Sequence, residues 1–207
     1  MLLGFDTATP RVTVALWDDG QVVARSDSDE AMRHGELLGP GVASVLAQAG
    51  ASGADIHAIA VGVGPGPFTG LRVGLVTART LGWTWGVPVH GVCTLDVIAA
   101  AVEGVDDFVV ASDARRKEVY FAKYHDGNRV AGPLVAKPDA VATSDPAAGQ
   151  GAVLYPQAFP HVVDVVYPDA GVLCRLVAQG RAEILDPEPL YLRRPDAVAP
   201  GAPKRVS

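Results

Sequence analysis

The chain has 207 residues and a net charge of −6, with 49% hydrophobic and 19% charged residues. This composition excludes a disordered chain, because it holds enough apolar surface to form a core. The negative charge argues against tight nucleic-acid binding by this chain alone, since phosphate contacts come from Lys and Arg. No basic leader precedes the first apolar run and no apolar run is long enough to span a bilayer, which predicts a soluble cytoplasmic protein without membrane contact.

One stretch stands apart in its charge. From Ile56 to Leu95 the only formal charges are Arg72 and Arg79, although the chain as a whole is 19% charged. A gap of this kind predicts that the segment is largely covered, either by the rest of the chain or by a partner.

The first part of the chain alternates between strand and helix patterns. Period-two alternation and the Asp19-Gly20 turn signal predict three opening strands, and later apolar runs of period 2 or 3.6 predict further elements. The predicted elements are strands at 1–5, 12–17, 21–26, 56–63 and 89–92, and helices at about 35–49, 70–85 (with Thr69 as N-cap) and 94–102.

The second part carries weaker patterns. Strands are predicted at 108–111, 118–124, 153–155 and 162–166, with a surface connection at 136–151, a helix at 170–179 and an irregular tail from Pro187 to Ser207. Strands followed by helices argue for α/β architecture. We therefore predict two domains, residues 1–104 and a smaller one over residues 105–207.

Signals for catalysis and for metal binding are missing from the sequence. No two of the five histidines have the close spacing of a metal pair, and neither a P-loop nor a hydrolase nucleophile elbow is present. The two cysteines, Cys93 and Cys174, are expected to be reduced and buried. No catalytic residue and no metal site is therefore predicted.

A hydroxyl-rich turn follows the first strand. Asp6, Thr7 and Thr9 could cradle a phosphate and orient a metal ion, which makes them a candidate nucleotide loop. The alternative is an ordinary hairpin whose side chains satisfy nearby backbone groups.

A row of small residues marks the helix predicted from Gly70. Gly70, Gly74, Ala78 and Gly82 recur every four positions, so they form a ridge with almost no side chain. Such a ridge lets another element approach closely. It serves either packing within the same domain or contact with a partner helix.

A charged hexapeptide, Asp113 to Glu118, opens the second part of the chain. It is either a solvated turn or a charged rim beside a cleft between the two halves.

The segment Gly64–Gly74, GPGPFTGLRVG, closely resembles the GPGSFTGLRxG signature of the bacterial TsaB (YeaZ) family. Supporting matches in the same order cover almost the whole chain. They are Asp6-Thr7-Ala8-Thr9, Arg33-His34, Asp113 to Tyr120, and Tyr191-Leu192-Arg193. Pro67 departs from the pattern, since the family usually has Ser there, and this removes a hydroxyl and an N–H from the loop.

The resemblance implies the two-lobed α/β fold of actin, Hsp70 and sugar kinases (the ASKHA fold), with a reduced second lobe. It implies a non-catalytic activator and scaffold in the formation of threonylcarbamoyladenosine in tRNA, bound to the catalytic paralogue TsaD and joined by the ATPase TsaE. It also implies a homodimer in isolation, contact with tRNA only indirectly through the complex, and no cofactor of its own, with ATP or ADP and Mg²⁺ only in the complex. The alternative is an ATP-dependent transferase or a glycoprotease-like enzyme.

In that family the helices of the first lobe form the contact. Carried to this chain, the partner-binding set is Leu38, Val42, Val45, Gly70, Leu71, Gly74, Leu75, Ala78 and Gly82. Arg72 and Arg79 lie two helical turns apart and are expected at the edge of that interface.

Overall fold

A mixed five-stranded sheet forms the first lobe. The computed structural model describes residues 1–30 and 33–193, and this sheet has the strand order β3-β2-β1-β4-β5. Strands β1 to β3 are antiparallel, whereas β4 and β5 run parallel to β1. The strands are β1 Leu2–Asp6, β2 Val12–Asp18, β3 Gln21–Ser28, β4 Ala58–Gly62 and β5 Val89–Val92.

Two long helices cover one face of this sheet. They are α1, His34–Gln48, and α2, Phe68–Trp85. Alternation along the strands sends Leu3 and Phe5 of β1 into the core beneath these helices, while Leu2 points to the opposite face. The sheet therefore has a hydrophobic core on each of its two faces.

The second lobe is a smaller sheet of order β8-β7-β6-β9. Helix α3, Thr94–Ala99, leads into it, and the five-residue helix α4, Gln150–Leu154, packs on β6. Its strands are β6 Asp107–Asp113, β7 Val119–His125, β8 Asn128–Ala136 and β9 Ala147–Ala148. The predicted two-lobed α/β architecture with a reduced second lobe is confirmed.

The last helix returns to the first lobe. Helix α5, Ala170–Ala178, packs against β1, β2 and β4 and buries Leu173 and Cys174 there. The Leu185 backbone then exchanges hydrogen bonds with Gly91 of β5, at 2.8 and 2.9 Å. The predicted division at residue 104 is therefore wrong for the end of the chain, because the apolar face of α5 covers the far side of the first sheet.

Several local predictions were wrong. Residues 153–155 do not form a buried strand. Val153 and Leu154 are the last two residues of α4 and are each 49% exposed. Residues 162–166 contribute one isolated bridge, from Val162 to Ala147, and the predicted surface connection contains the buried strand β9. Thr69 does not cap α2, because the helix begins at Phe68, one residue before Thr69 and directly after Pro67.

The remaining predictions can be placed as follows. Helix α5 matches the predicted helix closely, and residues 187–193 form no helix or strand, as predicted for the tail. The rest of the predicted tail, residues 194–207, lies outside the described residues. Within residues 1–30 and 33–193, no helix has the length and apolarity needed to cross a membrane.

Candidate functional site

The turn after β1 is buried, and its side chains are engaged by the protein itself. The Asp6 carboxylate accepts hydrogen bonds from the Thr94 hydroxyl and from the Ala8 N–H, both at 2.7 Å. Burial raises the pKa of Asp6, while the hydrogen bonds from Thr94 and Ala8 act in the opposite direction. This carboxylate joins the first turn to the start of α3.

Thr7 and Thr9 are also committed to the fold. The Thr7 hydroxyl donates to the Gly70 carbonyl at 2.8 Å and accepts from the Gly74 N–H at 3.0 Å, so it bonds to both groups of one i to i+4 pair in α2. The Thr9 carbonyl lies 2.8 Å from Nε2 of His34 at the start of α1. Of the two interpretations of this turn, the contacts favour a structural role, but one in which most of the bonded partners lie far away in the sequence, in α1, α2 and α3.

The ridge of small residues on α2 serves packing within the lobe. A Cβ on Gly74 would lie 2.5 Å from Oγ1 of Thr7, and one on Gly70 would lie 2.6 Å from the Thr7 carbonyl oxygen. Farther along, a Cβ on Gly82 would lie 2.5 Å from Cγ2 of Val89. The sequence left internal packing and partner contact open, and the structure places this ridge against the turn after β1 and against β5.

The predicted partner-binding set therefore lies inside the lobe. Its members are at most 7% exposed or are buried glycines, and they pack in one core; they are Leu38, Val42, Val45, Gly70, Leu71, Gly74, Leu75, Ala78 and Gly82. A partner that docks on α2 would meet the other side of the helix. Periodicity correctly indicated that these residues share a face. That face is covered by the rest of the lobe, whereas the prediction had a partner covering it.

The outward side of α2 carries exposed apolar residues. Val76 is 63% exposed and Trp83 is 87% exposed, seven positions apart and therefore on one side of the helix. Phe68, at the first position of α2, is 39% exposed. Sequence reasoning passed over Val76 and Trp83, although their seven-residue spacing was visible beside the ridge.

Arg72 and Arg79 hold the C-terminal segment of their own chain, residues 187–193. Nε of Arg72 donates to the Tyr191 hydroxyl at 2.9 Å, and Arg79 forms an ion pair with Glu188 at 2.7 Å. The Phe68 and Tyr191 rings stack with their centroids 5.1 Å apart. A groove of about 660 Å³ runs between this segment and α2. The two arginines thus border a groove that is built partly by their own chain.

The same segment reaches the second lobe. Arg193 pairs with Glu118 and donates to the Ala114 carbonyl at 3.4 Å, at the turn between β6 and β7. The Tyr120 hydroxyl, on β7, donates to the Gly66 carbonyl at 3.4 Å. The 64–74 segment, the 113–120 segment and the 191–193 segment are therefore brought together at one junction between the lobes.

A partly buried polar network that sequence reasoning missed links α3 to β7 and β8. Asp96 accepts a 2.7 Å hydrogen bond from the Tyr124 hydroxyl and lies 3.5 Å from Arg129, which also pairs with Glu183. Burial raises the pKa of Asp96, and burial raises the pKa of Cys93 to about 12. The partners of Asp96 lie on β7 and β8, so only the register of those strands could have revealed this network.

The described residues contain no group of three or more His, Cys, Asp or Glu side chains placed to hold a metal ion. Both cysteines are free and buried, as predicted. The candidate site consists of the outward side of α2 and of the junction with the C-terminal segment.

Comparisons with known proteins place this geometry in a family. The family model of TsaD, described as tRNA N6-adenosine threonylcarbamoyltransferase, matches residues 28–173. YeaZ from Pseudomonas aeruginosa superimposes with a TM-score of 0.79 at 28% identity, covering 92% of this chain and 99% of that one. The chain belongs to the TsaB (YeaZ) family. Its two-lobed structure is accordingly the ASKHA-like fold implied by the resemblance.

Two curated relatives show how far the sequence similarity extends. The Mycobacterium tuberculosis protein Rv3421c is 41% identical over 203 residues, which cover 95% of this chain and 93% of that protein. TsaB of Escherichia coli, named a tRNA threonylcarbamoyladenosine biosynthesis protein, is 40% identical over 126 residues, or 59% of this chain and 54% of that protein. The chain thus spans about half the length of the curated TsaB relatives it matches.

Proposed function

We propose that this protein takes part in the biosynthesis of tRNA threonylcarbamoyladenosine as a non-catalytic subunit. In this role it binds a TsaD-type catalytic subunit through the outward side of α2, and the ATPase TsaE and the tRNA join in the assembled complex. In isolation the same side of α2 would pair with a second copy. Support for the pathway comes from the names of the E. coli and Bacillus subtilis relatives.

The observation that carries the docking proposal is the exposure of Trp83. A tryptophan is a large apolar side chain that is normally well covered, and here 87% of it meets solvent. Val76, one of the exposed apolar residues of α2, lies two turns earlier on the same side of the helix. Tryptophan is also enriched among the residues that dominate binding energy at protein interfaces. The outward side of α2 therefore has the composition of the centre of a docking surface.

Polar side chains border the exposed apolar residues on the outward side of α2. Arg72 and Arg79 are fixed by Tyr191 and Glu188, so their positions are set before a partner arrives. Interfaces commonly surround an apolar centre with such polar groups. Fixed groups also lose less conformational entropy on binding.

The non-catalytic part of the proposal is supported by the turn after β1. Asp6, Thr7 and Thr9 are each at most 5% exposed, and the Asp6 carboxylate and the Thr7 hydroxyl are hydrogen-bonded to protein groups. A nucleotide would have to displace these contacts before it could use the turn. Calorimetry of the isolated protein with ATP and Mg²⁺ tests this point: we expect no binding in the sub-micromolar range, and such binding would revive an ATP-dependent transferase or a glycoprotease-like enzyme.

The docking experiment compares two valines of equal exposure. Val76 on α2 and Val130 on β8 are each 63% exposed, so Val76→Glu and Val130→Glu impose the same chemical change at equally solvated positions. We expect Val76→Glu and Trp83→Ala each to weaken binding of the TsaD-type subunit at least about tenfold, since each removes apolar contact worth more than about 1.4 kcal/mol. Val130→Glu should bind like the wild type.

Calorimetric titration, with size-exclusion chromatography of the mixture, provides the measurement. Equal affinity of the wild type and both α2 variants would overturn the docking proposal. Substitutions on the buried side of α2, such as Gly74→Leu or Ala78→Leu, do not test it. A side chain at Gly74 would collide with Thr7, and one at Ala78 would be forced into the core, so both would disturb the fold itself.

A further inference from the structure

A groove on the second lobe gathers positive charge at one end of the sheet. Val119 pairs with Ala136 at the adjoining ends of β7 and β8, so Lys117 and Lys137, just outside those strands, lie at the same end. Both line a groove of about 420 Å³. The other residues that line it are Arg116, Pro138, Asp139, Tyr155, Gln157 and Ala158.

The ion pairs around this groove leave its two lysines available. Arg115 lies 3.4 Å from Asp113, and Glu118 is taken by Arg193. Within residues 1–30 and 33–193, neither Lys117 nor Lys137 forms an ion pair, although Asp139 lines the same groove. On a chain of net charge −6, this is a local concentration of positive charge.

The turn that carries Lys117 has an unusual backbone conformation that two hydrogen bonds close. Arg115, Arg116 and Lys117 have φ values of +61°, +56° and +60°, a left-handed region that non-glycine residues rarely occupy. Hydrogen bonds of 3.0 Å join the Ala114 N–H to the Glu118 carbonyl and the Glu118 N–H to the Arg115 carbonyl. The basic side chains are therefore presented from a hydrogen-bonded turn.

We infer that this groove binds the phosphate backbone of RNA in the assembled complex, an inference that rests on the proposed function. Lysine ammonium groups attract phosphate through charge, and the half-buried Tyr155 offers a ring on which a base can stack. The groove shares no residue with the outward side of α2, so a partner subunit and RNA can be bound together. This chain then adds phosphate contacts to a complex although its own charge is negative.

The test uses the full chain in complex with its TsaD-type and TsaE-type partners. The probe is a transcript of the anticodon stem-loop, followed by fluorescence anisotropy at several salt concentrations. The variant is Lys117→Glu/Lys137→Glu. A matched control, Lys123→Glu/Arg181→Glu, reverses two exposed charges outside the groove and changes the net charge equally.

We expect the groove variant to lose about tenfold or more in affinity, and its salt dependence to be shallower by about one contact per lysine. The milder Lys117→Gln/Lys137→Gln variant should change in the same direction with the fold intact by circular dichroism. The control should stay within about threefold of the wild type. An equal loss in variant and control would show a general effect of charge and would overturn the inference.

Complex formation is measured separately, by size-exclusion chromatography, before any RNA is added. If the wild-type complex does not form, the proposed function fails, and the inference fails with it. If the complex forms but the groove variant binds RNA like the wild type, the RNA inference alone is overturned. A groove variant that no longer assembles would identify the groove as a protein contact and would overturn the inference as well.

Discussion

Arg72 donates a 2.9 Å hydrogen bond to the hydroxyl of Tyr191, a residue 119 positions later in the chain. The guanidinium carbon of Arg72 also lies 3.5 Å from the ring centroid of Phe68, which in turn stacks on Tyr191. One of the two charges in the 56–95 segment is thus used to fasten the C-terminal segment to α2. The other, Arg79, does the same through Glu188.

Tyr191→Ala should loosen the C-terminal segment without unfolding the protein. The substitution removes the ring stack and the hydrogen bond together, which we expect to cost about 1–2 kcal/mol in this partly exposed setting. The Leu190 N–H, which donates to the Val63 carbonyl at 2.9 Å, reports on this opening. Its hydrogen exchange should accelerate roughly 5–30-fold.

Tyr191→Phe is the control for this measurement, because it keeps the stack on Phe68 and removes only the hydroxyl. Its Leu190 amide should exchange at a rate between those of the wild type and Tyr191→Ala. Unchanged exchange in Tyr191→Ala would show that other contacts hold the segment.

Gly4 is required by the position of Cys174. A Cβ at Gly4 would lie 2.4 Å from Sγ of Cys174 and 3.1 Å from the Ala170 carbonyl oxygen, where α5 crosses β1. Gly4→Ala should therefore destabilise the protein by about 1–3 kcal/mol in urea unfolding. Cys174→Ala in the same chain should recover part of this loss, since it removes the colliding sulfur. Strictly additive effects in the double-mutant cycle would contradict this explanation.

Asp6 should give the protein a pH-dependent stability that Asp6→Asn abolishes. Because the folded protein raises the pKa of Asp6 above its unfolded value of 3.8, the folded state holds the proton more tightly. The free energy of unfolding of the wild type therefore falls as pH rises from about 4 through the raised pKa. Asn keeps an oxygen for the Ala8 N–H but carries no charge to bury.

The stability of Asp6→Asn relative to the wild type should therefore increase with pH across that window. Urea unfolding of both proteins at matched pH values measures the difference, and titrations common to both cancel. A difference that stays constant, or shrinks as pH rises, would show that Asp6 does not titrate as its burial requires.

Lys117→Gly should stabilise the protein while weakening the proposed RNA contact. Glycine adopts φ near +60° without the steric cost of about 1 kcal/mol that a side chain pays, although its greater freedom in the unfolded chain offsets part of the gain. We expect a net gain of about 0.5 kcal/mol. Lys123→Gly in β7 is the matched control and should lose about 0.5–1 kcal/mol. Destabilisation by Lys117→Gly would mean that the Lys117 side chain stabilises the folded state by more than its strained backbone conformation costs.

The first lobe was predictable from sequence because its signals are local. Strand alternation and the apolar run before Gly64 gave the sheet, and the four-residue spacing of Gly70 and Gly74 gave their shared face. The surface that covers this face was not predictable. That depends on Thr7, which lies on a turn more than sixty positions away and reaches α2 only in the folded chain.

The second lobe resisted prediction for a different reason. Strand β9 has two residues and is defined only by its parallel pairing with β6, so it has no period to detect. Val153 and Leu154 resemble a strand by composition, but they are the half-exposed last two residues of the short helix α4. The groove at Lys117 and Lys137 likewise depends on strand register, which the sequence did not specify.

The return of α5 to the first sheet makes the second lobe an insertion between two parts of the first. A chain cut before Ala170 would lose the cover of Leu2 and Ala15 and would expose the far face of the sheet to water. Neither predicted half can therefore be separated by one cut and remain whole. Excising the second lobe would instead take two cuts, one after α3 and one before α5, rejoined so that both faces of the first sheet stay covered.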